Sequence, residues 1–150
     1  MVTIGKTVSD LRGDSTGGPI RLRDFKSQYV VVYFYPKDNT PGCTREACSI
    51  RDLHTAIQGA GLDVAGVSPH DPETHRKFRE KYQLPFTLLS DVDKTVIKMY
   101  DVVGPLGFGV RRATYLIDQA RKIRSAVLAD FRIGRHEDFI RTAVALSAMG

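Results

Sequence analysis

The hydrophobic positions along the chain change period several times. Residues 29–35, "YVVVYFY", are β-branched and aromatic throughout, with no polar face, which predicts a central strand covered on both sides. Pro36 ends it, because proline donates nothing to a ladder. After a loop, Ala47, Ile50, Leu53 and Ile57 form an apolar stripe at helical spacing. They predict a helix from about Thr44 to Gln58, stopped by Gly59 and Gly61. "LDVAGVS" at 62–68 reads as a second buried strand. In the next helix Asp71 suits the cap and Pro72 the first position, and Phe78 and Tyr82 share a face. "FTLLSD" at 86–91 predicts a strand, and "DKTVIKMY" at 93–100 a short helix. "RRATYLID" and "RKIRSAVLA" predict a hairpin turning near Gln119 and Ala120. A closing helix over 135–149 puts Phe139, Ile140, Ala143 and Val144 on one side. Residues 11–19, "LRGDSTGGP", read as turn. Strands alternate with helices and then a hairpin and a helix finish the chain. That order predicts an α/β fold, a central mixed sheet with helices on both faces.

At 150 residues the chain is long enough to bury a core and is expected to form one domain. No apolar run approaches the ~20 residues that span a bilayer, and "MVTIGKTVSD" lacks the pattern of a secretory signal. The expectation is a cytoplasmic protein, with no membrane partner. The net charge of +5 comes from scattered basic residues, mostly beside acids, with no block of five like charges. It reads as a solvated surface and not a nucleic-acid footprint. His54, His70, His75 and His136 fit no zinc spacing and are expected to be solvated or capping. "GPLGFG" at 104–109 lacks the G-K-[ST] ending of a phosphate loop; Leu106 and Phe108 there are candidates to line a site approach.

Candidate chemistry concentrates in "YFYPKDNTPGCTREACSIRD", residues 33–52, which holds both cysteines. In a reducing compartment such thiols are catalytic or metal-binding more often than structural. Cys43 stands where a Pro/Gly loop becomes a helix. Helix N–H groups without partners and the macrodipole stabilise a thiolate there. Thr40 can hydrogen-bond locally, and Glu46 either ties down an arginine or is surface charge. Cys48 lies five residues on, about 140° around and ~7.5 Å along an intact helix. A disulfide needs Cα atoms within ~7 Å, so the two could join only if the first turns unwind. Three readings of Cys48 stay open: redox partner, bystander, or partner of another chain. A lone thiolate beside a second thiol suits peroxide attack to a sulfenic acid followed by condensation.

The same stretch closely resembles the peroxiredoxin family, in particular its Q-type group. P-x-x-x-[TS]-x-x-C appears as Pro36, Thr40 and Cys43, and the likeness extends through "GVS", "FTLLSD" and "RRATYLID" over nearly the whole chain. The resemblance implies a thioredoxin-like fold of peroxiredoxin type. It implies a thiol peroxidase acting on hydrogen peroxide and organic hydroperoxides, with thioredoxin or a similar dithiol as reductant and no cofactor or metal. Cys43 matches the peroxidatic cysteine and Cys48 the resolving one, joined by an intramolecular disulfide. Thr40 matches the residue holding thiolate and peroxide, and Pro36 the one shielding the site. Arg112 matches the arginine that stabilises the thiolate. Arg111 is adjacent, but strand alternation admits only one of the two, and the motif register selects Arg112. A monomer is expected. The competing readings are a disulfide oxidoreductase, disfavoured by the C-x4-C spacing, and a redox-responsive holdase, for which no exposed apolar stripe speaks.

Overall fold

A computed structural model describes residues 4–8, 12–16, 18–25, 27–38, 40–104, 109–129 and 134–149. Its elements are β1 (Arg12–Ser15), β2 (Ile20–Arg21), a 3-10 turn (Leu22–Asp24), β3 (Tyr29–Phe34), α1 (Pro41–Asp52), α2 (His54–Gly59), β4 (Leu62–Ser68), α3 (Pro72–Tyr82), β5 (Thr87–Ser90), α4 (Thr95–Met99), β6 (Ala113–Asp118), β7 (Ile123–Leu128) and α5 (Gly134–Met149). The strands form one seven-stranded sheet in the order β2-β1-β5-β4-β3-β6-β7. The β3–β4 and β4–β5 pairs are parallel, and the β3–β6, β6–β7 and β1–β5 pairs antiparallel. The sheet is therefore mixed, as the order of elements predicts.

Alternation along β3 divides the core. Val30, Val32 and Phe34 pack with Val96, Ile97 and Tyr100 around α4. Val31, Tyr33 and Tyr35 face the other way, onto Ala47 and Ile50 of α1, Ile57 of α2, Phe78 of α3 and Ile140 of α5. Helices thus cover both faces, and β3 is buried because each face of it has a layer to meet. Between β3 and β5, Gly66 of β4 stands in register with Tyr33 and Leu88. A Cβ on Gly66 would come within 2.8 Å of the Tyr33 ring and 2.9 Å of Leu88. Only glycine lets that ring lie against the sheet.

Two local features differ from the sequence reading. The expected helix over 44–58 starts earlier, at Pro41, and breaks at Leu53, leaving α1 and α2. Residues 12–21 are not mere turn: β1 and β2 form a hairpin, and β1 joins β5 through Asp14↔Ser90 and Ser15↔Leu89. Such short strands carry no readable alternation, and the long-range pairing with β5 decides them. The β6–β7 turn has no glycine, and Arg121 takes the left-handed conformation, φ +63°. Asp118 compensates, its Oδ1 accepting from Ala120 and Lys122 N–H at 2.9 Å. Upstream, residues 5–8 run beside the start of β7: Gly5 N–H donates to Ile123 O, and Ile123 N–H to Lys6 O. Leu106 and Phe108 lie outside the described residues.

Candidate active site

The site is built at the N-terminus of α1, next to the C-terminal end of β3. Thr40 is the N-cap with extended backbone, Pro41 holds the first helical position, and Cys43 is the third helical residue. The first intrahelical bond near this end runs from Thr44 N–H to Thr40 O at 2.9 Å. By helix geometry the Gly42 and Cys43 N–H groups have no carbonyl within α1. They and the macrodipole give this end of the helix positive potential.

Arg112 arrives by register. Phe34, the last residue of β3, pairs with Ala113, the first of β6. The next residue outward on the β6 side is Arg112, which is thereby set beside the loop that starts after β3. Its Nη1 donates to Cys43 Sγ at 3.1 Å. Cys43 is 1% exposed and Arg112 8%, so water screens this contact weakly. The same nitrogen lies 3.5 Å from Glu46 Oε1. Glu46, one turn after Cys43, is buried, and burial pushes its carboxyl up to about 8, against the opposing pull of Arg112. Burial thus works against ionisation of Glu46, and the Arg112 guanidinium faces both its carboxyl and the Cys43 sulfur.

Behind Glu46, its Oε2 lies 3.6 Å from His136 Nδ1, beyond hydrogen-bond distance. His136 is buried, with Nδ1 2.8 Å from Thr114 Oγ1 and Nε2 2.8 Å from Ala129 O. His75 is buried as well. These two histidines overturn the expectation of solvated or capping rings. Both lie on apolar helix faces: His75 at i, i+3, i+7 with Phe78 and Tyr82, and His136 at i, i+3, i+4 with Phe139 and Ile140. That phase was the available signal. Glu46, left open between surface charge and arginine partner, is the latter.

Of the five residues singled out in the sequence, Cys43 and Arg112 touch. Thr40 frames the loop, its hydroxyl donating to Lys37 O at 2.9 Å and not to a helix N–H. Pro36 is half-buried at the loop's start. Cys48 is half-buried and, like Cys43, a free thiol, and the two are separated by continuous helix. Around Cys48, Ser49 Oγ donates to Glu137 of α5 at 2.8 Å, and Arg51 to Tyr82 O at 2.9 Å. The C-terminal half of α1 is thus tied to α5 and to the end of α3. Among the described residues, no group of three or more His, Cys, Asp or Glu is placed to hold a metal, and no helix is long and apolar enough to cross a membrane.

Residues 4–126 match the AhpC/TSA family. The chain belongs to that family. Its relatives there are peroxiredoxins: it is 43% identical over 133 residues to peroxiredoxin Bcp of Escherichia coli K12, covering 85% of each chain. The fold of the peroxidoxin BcpB from Mycobacterium tuberculosis superposes with a TM-score of 0.90 at 32% identity, over 97% of this chain and 98% of that one. The bacterioferritin comigratory protein of Xanthomonas campestris, studied for its alkyl peroxide reduction activity, gives a TM-score of 0.83 at 30% identity over 92% of each chain. This peroxiredoxin has their thioredoxin-like fold and is a thiol peroxidase.

Proposed function

We propose that Cys43 is the peroxidatic residue and Cys48 the resolving one. The observation that carries this reading is the 3.1 Å contact of Arg112 with Cys43 Sγ at the start of α1. A sulfur anion held between a guanidinium and helix N–H groups is stabilised, and the same donors meet the oxygen that leaves with negative charge. Favouring the anion is not enough, since nucleophilicity falls with basicity; the alignment of sulfur with the O–O bond must do the rest. Thr40 has its proton engaged with Lys37 O, which leaves its oxygen free to accept the O–H of a peroxide. Pro36 and the loop limit water. The Cys43 thiolate attacks the distal oxygen, the O–O bond breaks, and water or an alcohol leaves after taking up a proton. Cys43 becomes a sulfenic acid.

In the second step Cys48 attacks the sulfenic sulfur and water leaves, forming an intramolecular disulfide. Because α1 sets the two residues on different sides, its first turns must unwind for this to happen. A thioredoxin-type dithiol then supplies two electrons and restores both thiols. Hydrogen peroxide and organic hydroperoxides are the proposed substrates; the alkyl peroxide activity of the Xanthomonas relative supports the latter. We read the protein as a cytoplasmic monomer, where a reducing pool suits its two free thiols.

One equivalent of hydrogen peroxide on the reduced protein, read by intact and peptide mass spectrometry, tests this. The expected product has lost two hydrogen atoms and links the Cys43 and Cys48 peptides. One added oxygen on Cys43 without a link would move resolution to an outside thiol. Cys43→Ser should abolish turnover. Cys48→Ser should allow one oxidation and lose thioredoxin-linked recycling; normal turnover in that variant would remove Cys48 from the cycle.

A further inference from the structure

A buried polar cluster lies on the other side of the loop that carries Thr40 and Cys43. Asp38, in the middle of that loop, is 5% exposed. Both its oxygens are engaged: Oδ1 accepts from Tyr35 OH at 2.7 Å, and Oδ2 lies 2.7 Å from His75 Nδ1. The other nitrogen of His75, Nε2, lies 3.2 Å from Leu89 O. A carbonyl only accepts, so Nε2 must carry a proton. A second proton must then lie between Nδ1 and the carboxylate, whichever atom it sits on. Each polar atom of Asp38 and His75 thus has a partner, which suits their burial.

We propose that Asp38 and His75 are positioning residues of the peroxidase centre. This rests on the assignment of Cys43 above. The pair pins the loop at its midpoint to three elements: Tyr35 extends β3, His75 lies on α3, and Leu89 on β5. The Lys37 carbonyl immediately before Asp38 is the one that accepts the Thr40 hydroxyl. Holding Asp38 therefore fixes the acceptor that orients Thr40, and Thr40 stands at the N-cap position of the helix that presents Cys43. The hydrogen bonds of Asp38 and His75 run to each other, to Tyr35 and to Leu89 O, so their effect on Cys43 passes through the loop. The anchor is also placed outside α1. It holds the loop while the helix unwinds for disulfide closure, and returns it to the same place when the disulfide is reduced.

The test is the second-order rate constant for Cys43 oxidation by hydrogen peroxide, followed by rapid quench and mass spectrometry. Asp38→Ala leaves Tyr35 and His75 without their acceptor and should lower the constant by about tenfold or more, the size expected from a small displacement of reacting groups. Asp38→Asn keeps the shape: its carbonyl accepts from Tyr35 and its N–H donates to a neutral His75, so the rate should return close to wild type. A downfield imidazole proton resonance from the Asp38–His75 bridge should be present in wild type and absent in Asp38→Asn. Wild-type speed in folded Asp38→Ala, or an equal loss in Asp38→Ala and Asp38→Asn, would overturn the proposal. Should Asp38→Ala not fold, Tyr35→Phe removes the hydroxyl that donates to the same carboxylate and lies 3.4 Å from His75 Nδ1; a slowed Cys43 step supports the pin, and an unchanged one overturns it. Failure of wild-type Cys43 to react would instead overturn the assignment of the site itself.

Discussion

The buried Glu46 makes stability depend on pH. Its carboxyl, ordinarily near 4.5, is raised to about 8, with burial the largest cause. Between those values the folded protein holds a proton that the unfolded chain releases. The contribution of Glu46 to stability is therefore full below about pH 4.5 and is lost as pH rises through about 8. Glu46→Gln carries a permanent stand-in for the protonated form. Urea titrations from pH 5 to 9 should show a shallower decline for the variant than for wild type, with the difference largest above pH 8. An unchanged slope would mean that Glu46 is ionised in the folded protein. Legibility at this scale was uneven. Cys43 and Thr40 stand in a local motif and could be read directly. The proximity of Arg112 could not, because 69 residues separate it from Cys43 and only the β3–β6 register joins them. His75 and His136 are buried because they share the apolar faces of α3 and α5, a phase that zinc spacing does not report.

At the level of elements, the features that carry chemistry are those held least uniformly. No side-chain cap closes the N-terminus of α1, and no acidic residue lies in its first turn. The far half is fastened, by Ser49 to Glu137 and by Arg51 to Tyr82 O. Cys48 is next to the first fastening, so moving it toward Cys43 should strain that bond. Ser49→Ala should accelerate disulfide closure a few-fold after Cys43 is oxidised, with the peroxide step unchanged; time-resolved alkylation of Cys48 would report it. A slower closure would mean that the bond holds Cys48 ready instead. Gly66 makes the opposite case, an element with no slack. Gly66→Ala forces a methyl against Tyr33 and Leu88 and should cost about 1–3 kcal/mol in denaturant unfolding. The strands β3 and β4 were legible because each is one apolar run buried on both faces. The β1–β2 hairpin was hidden, since its reason for existing is the neighbouring β5.

For the whole molecule, the order of elements implied the mixed sheet and both helical layers, and the likeness in sequence implied the particular topology. What neither contained is the division of labour across the sheet. On the α4 side the buried charge is Asp91, whose carboxylate accepts from Val96 and Ile97 N–H at the start of α4, while the α1 side holds Glu46, His75, His136 and Arg112 within or beside its core. The short N-terminal stretch that lies against β7 has a separate consequence. A sheet ends where a strand has polar backbone groups with no neighbour, and such an edge invites a strand from another copy. Here Gly5 and Lys6 occupy both groups of Ile123, and Val8 N–H takes the Arg121 carbonyl. At the opposite end the last strand, β2, is only two residues long and offers little to pair with. A chain shortened by its first eight residues would lose this cover at the start of β7. It should self-associate as concentration rises, seen as earlier elution in size exclusion than that of the intact chain. The N-terminal residues would then act as a guard against aggregation, a task separate from the chemistry at Cys43.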